Sequence, residues 1–273
     1  MPNSVYKDKY IYFSHNITFS PSDETYPFHT HDVCEMIFLK SGNISAVIDG
    51  KEYKMYENSL VIFRPGVVHR IKINGKGTYN RYGILFDEKQ IAVEPYFKLD
   101  PKLCVVNLSG NHYITDIFKK ADYYLKNIDS KEFGRLISHL TEEVVCNLTL
   151  LEPEEYEKSY NPLNPVVSKA IEYIDENYKK QISVDDICAR LYISKCHLHH
   201  LFTGFLNTSP KKYINLKRLT EARNLIRSGS KPHKIFSECG FTDYGTFYRN
   251  YKSVFGHIPS KEFEFEIEKN IKS

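Results

Sequence analysis

Four side chains able to bind a metal ion or a polar ligand lie close together in the N-terminal part of the sequence. His29 and His31 flank a threonine, Glu35 follows four residues later, and His69 lies farther along the chain. Alternate residues of a strand share a face, so His29, His31 and Glu35 are expected on one side. Three imidazoles and a carboxylate suit a divalent transition metal with open positions. A metal-free ligand pocket and a purely structural role use the same side chains, and the sequence leaves all three roles open.

Side chains suited to nucleic-acid contact follow a helical spacing near the C terminus. The faces opposite two apolar helical stripes carry Cys196, His199, His200, Thr203, Gly245, Tyr248, Arg249 and Lys252. An arginine such as Arg249 bonds guanine O6 and N7 together, a contact worth about 1–3 kcal/mol of base discrimination. A lysine such as Lys252 neutralises phosphates, which sets affinity without reading sequence. Each contact requires a helix that presents the side chain to a groove.

The composition describes an ordinary globular protein. Its 273 residues are 41% apolar and 26% charged, with a formal net charge of +3, which excludes disordered, fibrous and disulfide-scaffold classes. Six cysteines are scattered without a CxxC pair. Three charged residues, Lys7, Asp8 and Lys9, interrupt any secretory signal, and no run of about 18 apolar residues occurs to span a bilayer. We therefore expect a cytoplasmic protein with free thiols and no membrane contact.

Charge divides unevenly at the stretch 152–165, which is rich in proline and acids and is expected to be a linker. From residue 164 onward there are 18 Lys and Arg against 12 Asp and Glu, a net +6, which leaves the remainder at −3. A basic half joined to a mildly acidic half favours a polyanionic partner for the C-terminal half alone. A prior of about 100–200 residues per domain agrees with two domains.

The elements that must position these side chains differ between the two halves. Short β-branched and aromatic runs separated by turn residues predict an all-β barrel or sandwich over about residues 10–90. Two apolar helical stripes then predict an antiparallel helical hairpin over about 111–151. This hairpin must bury its stripes on the barrel, on a second copy or on both, and a homodimer is our hypothesis.

The basic half has the pattern of a duplicated helical unit. Ser183 and Ser194 are suited to cap a short helix and a following helix that a tight turn joins, which is the helix-turn-helix arrangement. The pattern recurs at an offset of 49 residues, where 194–210 corresponds to 243–259. Between the units, residues 210–228 predict one long basic connecting helix. We therefore expect two tandem helix-turn-helix units after the linker.

Two family resemblances extend these predictions. The spacing HxHxxxExxxxxxG from His29 to Gly42, followed by a shortened second motif at 65–69, resembles the cupin domain, a jelly-roll barrel. Residues 166–263 resemble the AraC/XylS family of bacterial transcription regulators. The matching residues there are Lys217, Arg218, Leu219, Ala222, Gly240, Phe241, Asp243, Phe247, Arg249, Gly256 and Pro259. Members of that family lay two recognition helices into successive major grooves of promoter DNA.

The AraC/XylS resemblance implies DNA-contacting roles for matching residues. In the first recognition helix these are Lys195, Cys196, His199, His200 and Thr203, and in the second they are Gly245, Thr246 and Arg249. Lys252 and Lys217 are implied phosphate contacts.

The predicted fold is thus a cupin-type jelly-roll barrel with a helical hairpin, forming a sensor domain over 1–151, followed by an all-α tandem helix-turn-helix domain over 166–273. The predicted function is AraC-type regulation of transcription from double-stranded promoter DNA. A small-molecule effector, with a sugar as the family example, is expected to contact His29, His31, Glu35, His69 and Tyr82. We expect no cofactor, and RNA polymerase is a further expected partner. A metal-dependent cupin enzyme with an accessory DNA-binding domain is the competing hypothesis.

Overall fold

The computed structural model describes residues 4–31, 33–156, 161–162 and 164–264. Within these ranges, the part of the chain before residue 164 contains ten strands and three α-helices. The strands are β1 (Ser4–Lys7), β2 (Ile11–Phe19), β3 (Cys34–Ser41), β4 (Ile44–Ile48), β5 (Lys51–Met55), β6 (Ser59–Phe63), β7 (His69–Ile73), β8 (Thr78–Phe86), β9 (Val105–Asn107) and β10 (Asn161–Pro162). The helices are α1 (Val93–Lys98), α2 (His112–Asn127) and α3 (Ser130–Leu148).

The strands form two antiparallel sheets that enclose one core. One sheet has the order β1-β2-β8-β3-β6-β9 and the other the order β10-β5-β4-β7. Ile37, Val61 and Ile71 belong to the cluster between them. The other face of the six-stranded sheet carries a second buried cluster, which it shares with α1, α2 and α3. Strands β3 and β6 are covered on both faces of the sheet, and this explains their nearly unbroken apolar runs.

The helical hairpin packs on the barrel. Phe118 of α2 stacks on Phe38 of β3 with the ring centres 4.7 Å apart, and Phe133 of α3 lies 5.9 Å from Phe13 of β2. Asn111 and Asp129 begin the two helices by accepting hydrogen bonds from backbone N–H groups of the first turn. The predicted hairpin is confirmed, and the barrel is what covers its apolar stripes.

The C-terminal domain consists of helices. They are α4 (Pro165–Asn177), α5 (Val184–Leu191), α6 (Lys195–Leu206), α7 (Pro210–Arg227), α8 (Pro232–Ile235) and α9 (Tyr244–Phe255). The first helix-turn-helix unit is α5 and α6, the second is α8 and α9, and α7 connects them, which confirms the predicted tandem arrangement. Side chains of Ser183, Ser194, Ser209 and Asp243 cap four of these helices.

Gly240, at the turn of the second unit, is required by a close approach. Its φ of +88° is left-handed, and a Cβ there would lie 2.6 Å from the Tyr178 carbonyl oxygen and 2.7 Å from Arg218 Nε. Only glycine accepts both constraints. The turn is thereby held against the end of α4.

Some elements differ from the sequence-based expectations. Strands β1, β5 and β9 were not expected; β5 carries the charged sequence KEYKM, in which only two side chains are buried. Part of the predicted linker pairs with strands of the barrel: Tyr156 forms a bridge with Val106, and β10 pairs with β5. Linker residues 157–160 and 163, and tail residues 265–273, lie outside the described residues. No helix in the described ranges has the length and apolar character needed to cross a membrane.

A buried ion cluster closes the second helix-turn-helix unit. The Glu262 carboxylate lies 2.7 Å from Nε of both Arg223 and Arg227 on α7, and it accepts a hydrogen bond from the Tyr251 hydroxyl on α9. Glu262 is 1% exposed. One carboxylate therefore ties the connecting helix and the second recognition helix to the C-terminal turn.

We expect Glu262→Gln to destabilise the C-terminal domain by about 3–5 kcal/mol, because it keeps the shape but removes the buried negative charge from its ion pairs with Arg223 and Arg227. The measurement is urea unfolding of the whole chain followed by circular dichroism. Glu221→Gln is the matched control, since its partner Lys179 is exposed and such pairs contribute about 0–1 kcal/mol. Equal effects of the two substitutions would contradict the assignment.

Candidate ligand cavity and nucleic-acid interface

A cavity of about 140 Å³ lies inside the barrel. Strand alternation decides its lining: β2 contributes Ser14 and Asn16, β3 contributes Glu35, and β8 contributes Tyr79 and Arg81. The remaining lining residues are Tyr12, Tyr26, His29, His31, Ile37, Phe63, His69, Ile71, Gly83 and Leu85. The cavity is smaller than the roughly 300–1,000 Å³ pockets that hold drug-sized molecules, so its size suits a small metabolite.

The structure brings the three histidines and Glu35 together at this cavity. Their ligand atoms all lie within 4.8 Å of one another. His31 Nε2 and His69 Nε2 lie 3.2 Å and 3.1 Å from the same Glu35 oxygen. His29 and His69 sit on segments that pair with each other through reciprocal backbone hydrogen bonds. The sequence motif thus describes one compact cluster, formed by two chain segments and the start of β3.

Hydrogen bonds fix the tautomers of two histidines. Nδ1 of His29 lies 2.8 Å from the Pro27 carbonyl, and Nδ1 of His69 lies 2.9 Å from the Val67 carbonyl. A carbonyl oxygen only accepts, so each Nδ1 is the donor. When these imidazoles are neutral, Nε2 carries no proton, and its lone pair is free to bind a metal.

The pKa values of His29, His69 and Glu35 are all lowered in the cluster. Burial, reinforced by His69 and His31, lowers the pKa of His29 to about 3. Burial also lowers the pKa of His69, although Glu35 acts in the opposite direction. For Glu35 burial acts to raise the pKa, but the hydrogen bonds and charges of His31 and His69 outweigh it and hold the pKa well below its ordinary value. Neutral histidines and an ionised carboxylate are the protonation states that ligate a metal.

The donor set fits a divalent metal ion. His69 Nε2 lies 3.1 Å from a Glu35 oxygen; when the proton of a neutral His69 is on Nδ1, both of these atoms are acceptors, and a cation between them would satisfy both. In addition, Nδ1 of buried His31 has no hydrogen-bond partner among the described residues. His29, His31, Glu35 and His69 are therefore the residues that would hold a metal, which would supply positive charge and open ligand positions to the cavity.

The prediction that Tyr82 contacts the effector is wrong. Its neighbours on β8, Tyr79 and Arg81, face the cavity at odd positions, so alternation turns Tyr82 to the outer face. There its ring stacks on His15 with the centres 4.2 Å apart and packs near Phe118 of α2. Tyr82 joins the barrel to the helical hairpin.

Sequence reasoning missed the polar groups at the other end of the cavity. Arg81 lies over the ring of Tyr79, with its Cζ 4.1 Å from that ring centre and 5.5 Å from the ring centre of Tyr26. The sequence signal that could have found them is the alternation of side chains along β8, which places residues 79, 81, 83 and 85 on the face opposite Tyr82. This signal includes residues 79 and 81 only if the strand is known to begin at Thr78.

The first predicted recognition helix presents its polar face to solvent. In α6 the side chains of Leu198, Leu201 and Phe202 are buried in the domain core. The opposite face is exposed and carries the expected DNA-contacting set, Lys195, Cys196, His199, His200 and Thr203. Thr203 donates to the His199 carbonyl, and Lys195 pairs with Asp185. Ser194 caps the helix, so α6 begins at Lys195, the first residue of this set.

The second predicted recognition helix has the same organisation. Phe247, Tyr251 and Phe255 of α9 are buried, while Thr246, Arg249 and Lys252 are exposed and Gly245 is half-buried. Arg249 Nη2 donates to Thr246 Oγ1 at 3.2 Å, which orients the guanidinium along the helix face. Thr246 and Arg249 line one cleft with Lys211, Asn215 and Arg218 of α7.

The structure places Lys217 away from this surface. Residues two apart on a helix point about 200° apart, so Lys217 lies opposite Asn215, which lines the cleft beside Arg249. Lys217 Nζ lies 3.0 Å from Asp175 on α4 and 3.4 Å from Asp49 at the β4–β5 turn. The predicted phosphate contact is therefore replaced by an ion pair between the two domains.

Two domain families match the sequence. Residues 15–80 match the cupin domain, and residues 187–264 match a helix-turn-helix domain. The XylDLEGF operon transcriptional activator of Pseudomonas putida is 32% identical over 101 residues, which are 36% of this chain and 32% of that activator. The chain thus spans about a third of the length of that relative.

A longer match is the probable transcriptional regulator LumQ of Photobacterium leiognathi. It is 23% identical over 259 residues, which cover 90% of this chain and 94% of LumQ. Among solved structures, a transcriptional regulator with an AraC-type DNA-binding domain from Chromobacterium violaceum is 32% identical. It covers 36% of this chain and 88% of that chain, with a TM-score of 0.34.

We expect the whole chain to bind one Zn²⁺ per cavity in isothermal titration calorimetry. Glu35→Gln should weaken binding by more than the roughly 10–100-fold that loss of an outer-shell partner costs, because it removes a ligand. His233→Ala, at an exposed histidine of the other domain, is the control and should bind as the wild type does. Absence of stoichiometric binding to the wild type would leave the cluster as a metal-free pocket.

Proposed function

Since the chain joins a cupin domain to a helix-turn-helix domain of the AraC/XylS type, we propose that it is a transcription regulator that binds promoter DNA through both helix-turn-helix units. The observation that carries this proposal is the pair of capped helices α6 and α9, each with a buried apolar face and an exposed polar face, held by the single helix α7. An 18-residue helix such as α7 (Pro210–Arg227) has a length of about 27 Å. That spacing is compatible with adjacent major-groove sites, which lie about 34 Å apart. Binding to the DNA upstream of its own gene, measured by fluorescence anisotropy, tests the proposal.

Base reading is proposed for Arg249 and phosphate contact for Lys252. Arg249→Ala should lose about 1–3 kcal/mol of discrimination between cognate and scrambled duplexes. Lys252→Ala should weaken binding to both duplexes alike and reduce the salt slope by about one. Both side chains are exposed, so neither change should alter the melting temperature. Identical uniform losses for the two variants would contradict these roles.

We propose that the barrel cavity binds the small-molecule effector, and that the wall it shares with the DNA-binding domain transmits binding. His29 and His69 face the cavity, while their neighbours Phe28 and Val68 face the other way. The Phe28 ring lies 6.3 Å from that of Tyr213 on α7, and Val68 is fully buried in the core of the first helix-turn-helix unit. A ligand that shifts either histidine therefore acts directly on a contact with that unit.

Contacts of the β4–β5 turn support the same route. Gly50 approaches α4 so closely that a Cβ would lie 2.7 Å from Ile171 Cδ1. Asp49 donates its N–H to the Val68 carbonyl and pairs with Lys217. The wall residues and the ion pair thus belong to one continuous domain contact.

A tryptophan reporter tests this coupling, because the chain has no tryptophan. We expect the emission of Phe28→Trp to shift when Zn²⁺ fills the cavity, since the indole would sit between Tyr213 and the wall. Zn²⁺ does not itself quench fluorescence. Phe97→Trp, at a 71% exposed position of α1, should show no shift. Stoichiometric Zn²⁺ binding without any change at position 28 would contradict the coupling.

The remaining parts of the proposal concern the oligomeric state, the cellular location and a protein partner. We propose a homodimer in the cytoplasm that contacts RNA polymerase. Exposed Tyr113 and Tyr123 on α2 support the dimer, because the hairpin face turned away from the barrel carries aromatic surface.

The curated relatives that match are regulators of transcription, which favours this function over the metal-dependent enzyme. A sensor whose effector binds through a metal is the second candidate, favoured by the His69–Glu35 contact.

A further inference from the structure

We infer that the ligand of the barrel cavity carries a carboxylate, and that Arg81 binds it. This inference rests on the proposed function, because it names the ligand class for the same cavity. An uncharged sugar, the example that the family suggests, would leave the one arginine of the described cavity lining without an anionic partner.

Arg81 is held in place but is not neutralised. Its guanidinium stacks over Tyr79 and lies near Tyr26, and one nitrogen donates to Thr18 Oγ1 at 3.1 Å. Among the described residues, no carboxylate lies within ion-pair distance of it. A guanidinium has five N–H donors in a planar fork that matches a carboxylate in two parallel bonds. Stacking on aromatic rings orders this fork before a ligand arrives.

The single acid of the described lining is already engaged. Glu35 lies 3.2 Å and 3.1 Å from the Nε2 atoms of His31 and His69 at the histidine cluster, so it does not serve Arg81. Arg81 is the one arginine or lysine among the described lining residues, so it is the cationic side chain left for a ligand. A divalent metal at the cluster would add further positive charge. Both states of the cavity therefore favour an anion over a neutral molecule.

Two buried polar atoms point to a ligand that also has hydroxyl or carbonyl groups. The hydroxyl of Tyr79, a residue 1% exposed, and Nδ1 of His31 have no hydrogen-bond partner among the described residues. Buried polar atoms normally have partners, and a missing partner costs stability. Tyr79 lies beside Arg81 and His31 lies in the cluster, so the unsatisfied groups are at both ends of the cavity. A short hydroxy acid could bond the Arg81 guanidinium through its carboxylate, and the Tyr79 hydroxyl and His31 through its hydroxyl groups.

The test is calorimetric binding to the whole protein with matched pairs of probes. Glycerate, tartrate and glucuronate are compared with glycerol, threitol and glucose, each with and without Zn²⁺, and inorganic phosphate is added as a second anion. We expect at least one acid to bind while its neutral counterpart does not. Arg81→Gln should weaken that acid about 10–100-fold, Arg81→Lys less, and Tyr79→Phe a few-fold. Arg135→Gln, at an exposed arginine of α3, should change nothing.

Each result bears on the inference. Preferential binding of neutral probes or of phosphate overturns it, as does a panel in which no acid binds more tightly than its counterpart. Unchanged acid affinity in Arg81→Gln also overturns it, and Tyr79→Phe provides an independent reading should Arg81→Gln fail to fold. DNA binding measured on the same samples separates failure of the proposed ligand class from failure of the proposed function. A wild type that binds DNA without binding acids refutes only the ligand class, whereas acid binding without DNA binding refutes the proposed function.

Discussion

Side chains of a strand alternate between the two faces of a sheet, and in this protein both faces of the six-stranded sheet are covered. Odd residues of β8, such as Arg81, face the cavity, and even residues, such as Tyr82, pack towards the helical hairpin. A slip of one residue would exchange these sets and put an arginine against Phe118. The register of β8 between β2 and β3 is therefore what keeps the cavity polar and the hairpin contact apolar.

The same alternation produces the contact between the domains. The segments around His29 and His69 pair with each other at the edge of the barrel, so their successive side chains must point in opposite directions. One direction is the cavity and the other is the core of the first helix-turn-helix unit, where Phe28 and Val68 lie. The wall is thin because it consists of one layer of extended backbone. Ligand recognition and domain contact thus depend on the same few peptide groups.

Much of the architecture could be predicted from local patterns, because those patterns are physically local. Caps such as Ser194 and Asp243 accept hydrogen bonds within their own helical turn, and the apolar stripes of α2 and α3 repeat along single helices. The histidine motif also lies on short segments. Arg81 and Tyr82 show what could not be predicted, since their faces depend on where β8 begins. Lys217 is a second case: its partner Asp49 is distant in sequence, and no local pattern encodes that ion pair.

The position of Lys217 limits how an effector could act on DNA binding. The domain contact involves Tyr213 and Lys217 of α7, and Asn215 lines both the cleft beside Arg249 and a second cleft that barrel residues 27–30 also line. Arg249 and Lys252 are exposed beside the docked barrel, so control by covering these proposed DNA contacts does not follow from this arrangement. An effector changes DNA affinity only through different affinities for two arrangements of the protein. Phe28 of the wall contacts α7, and Val68 lies in one core with α5 and α6 of the first unit. The arrangement that the wall biases is therefore the placement of the first unit relative to the second. By linkage, DNA that selects one placement must alter effector affinity by the same factor.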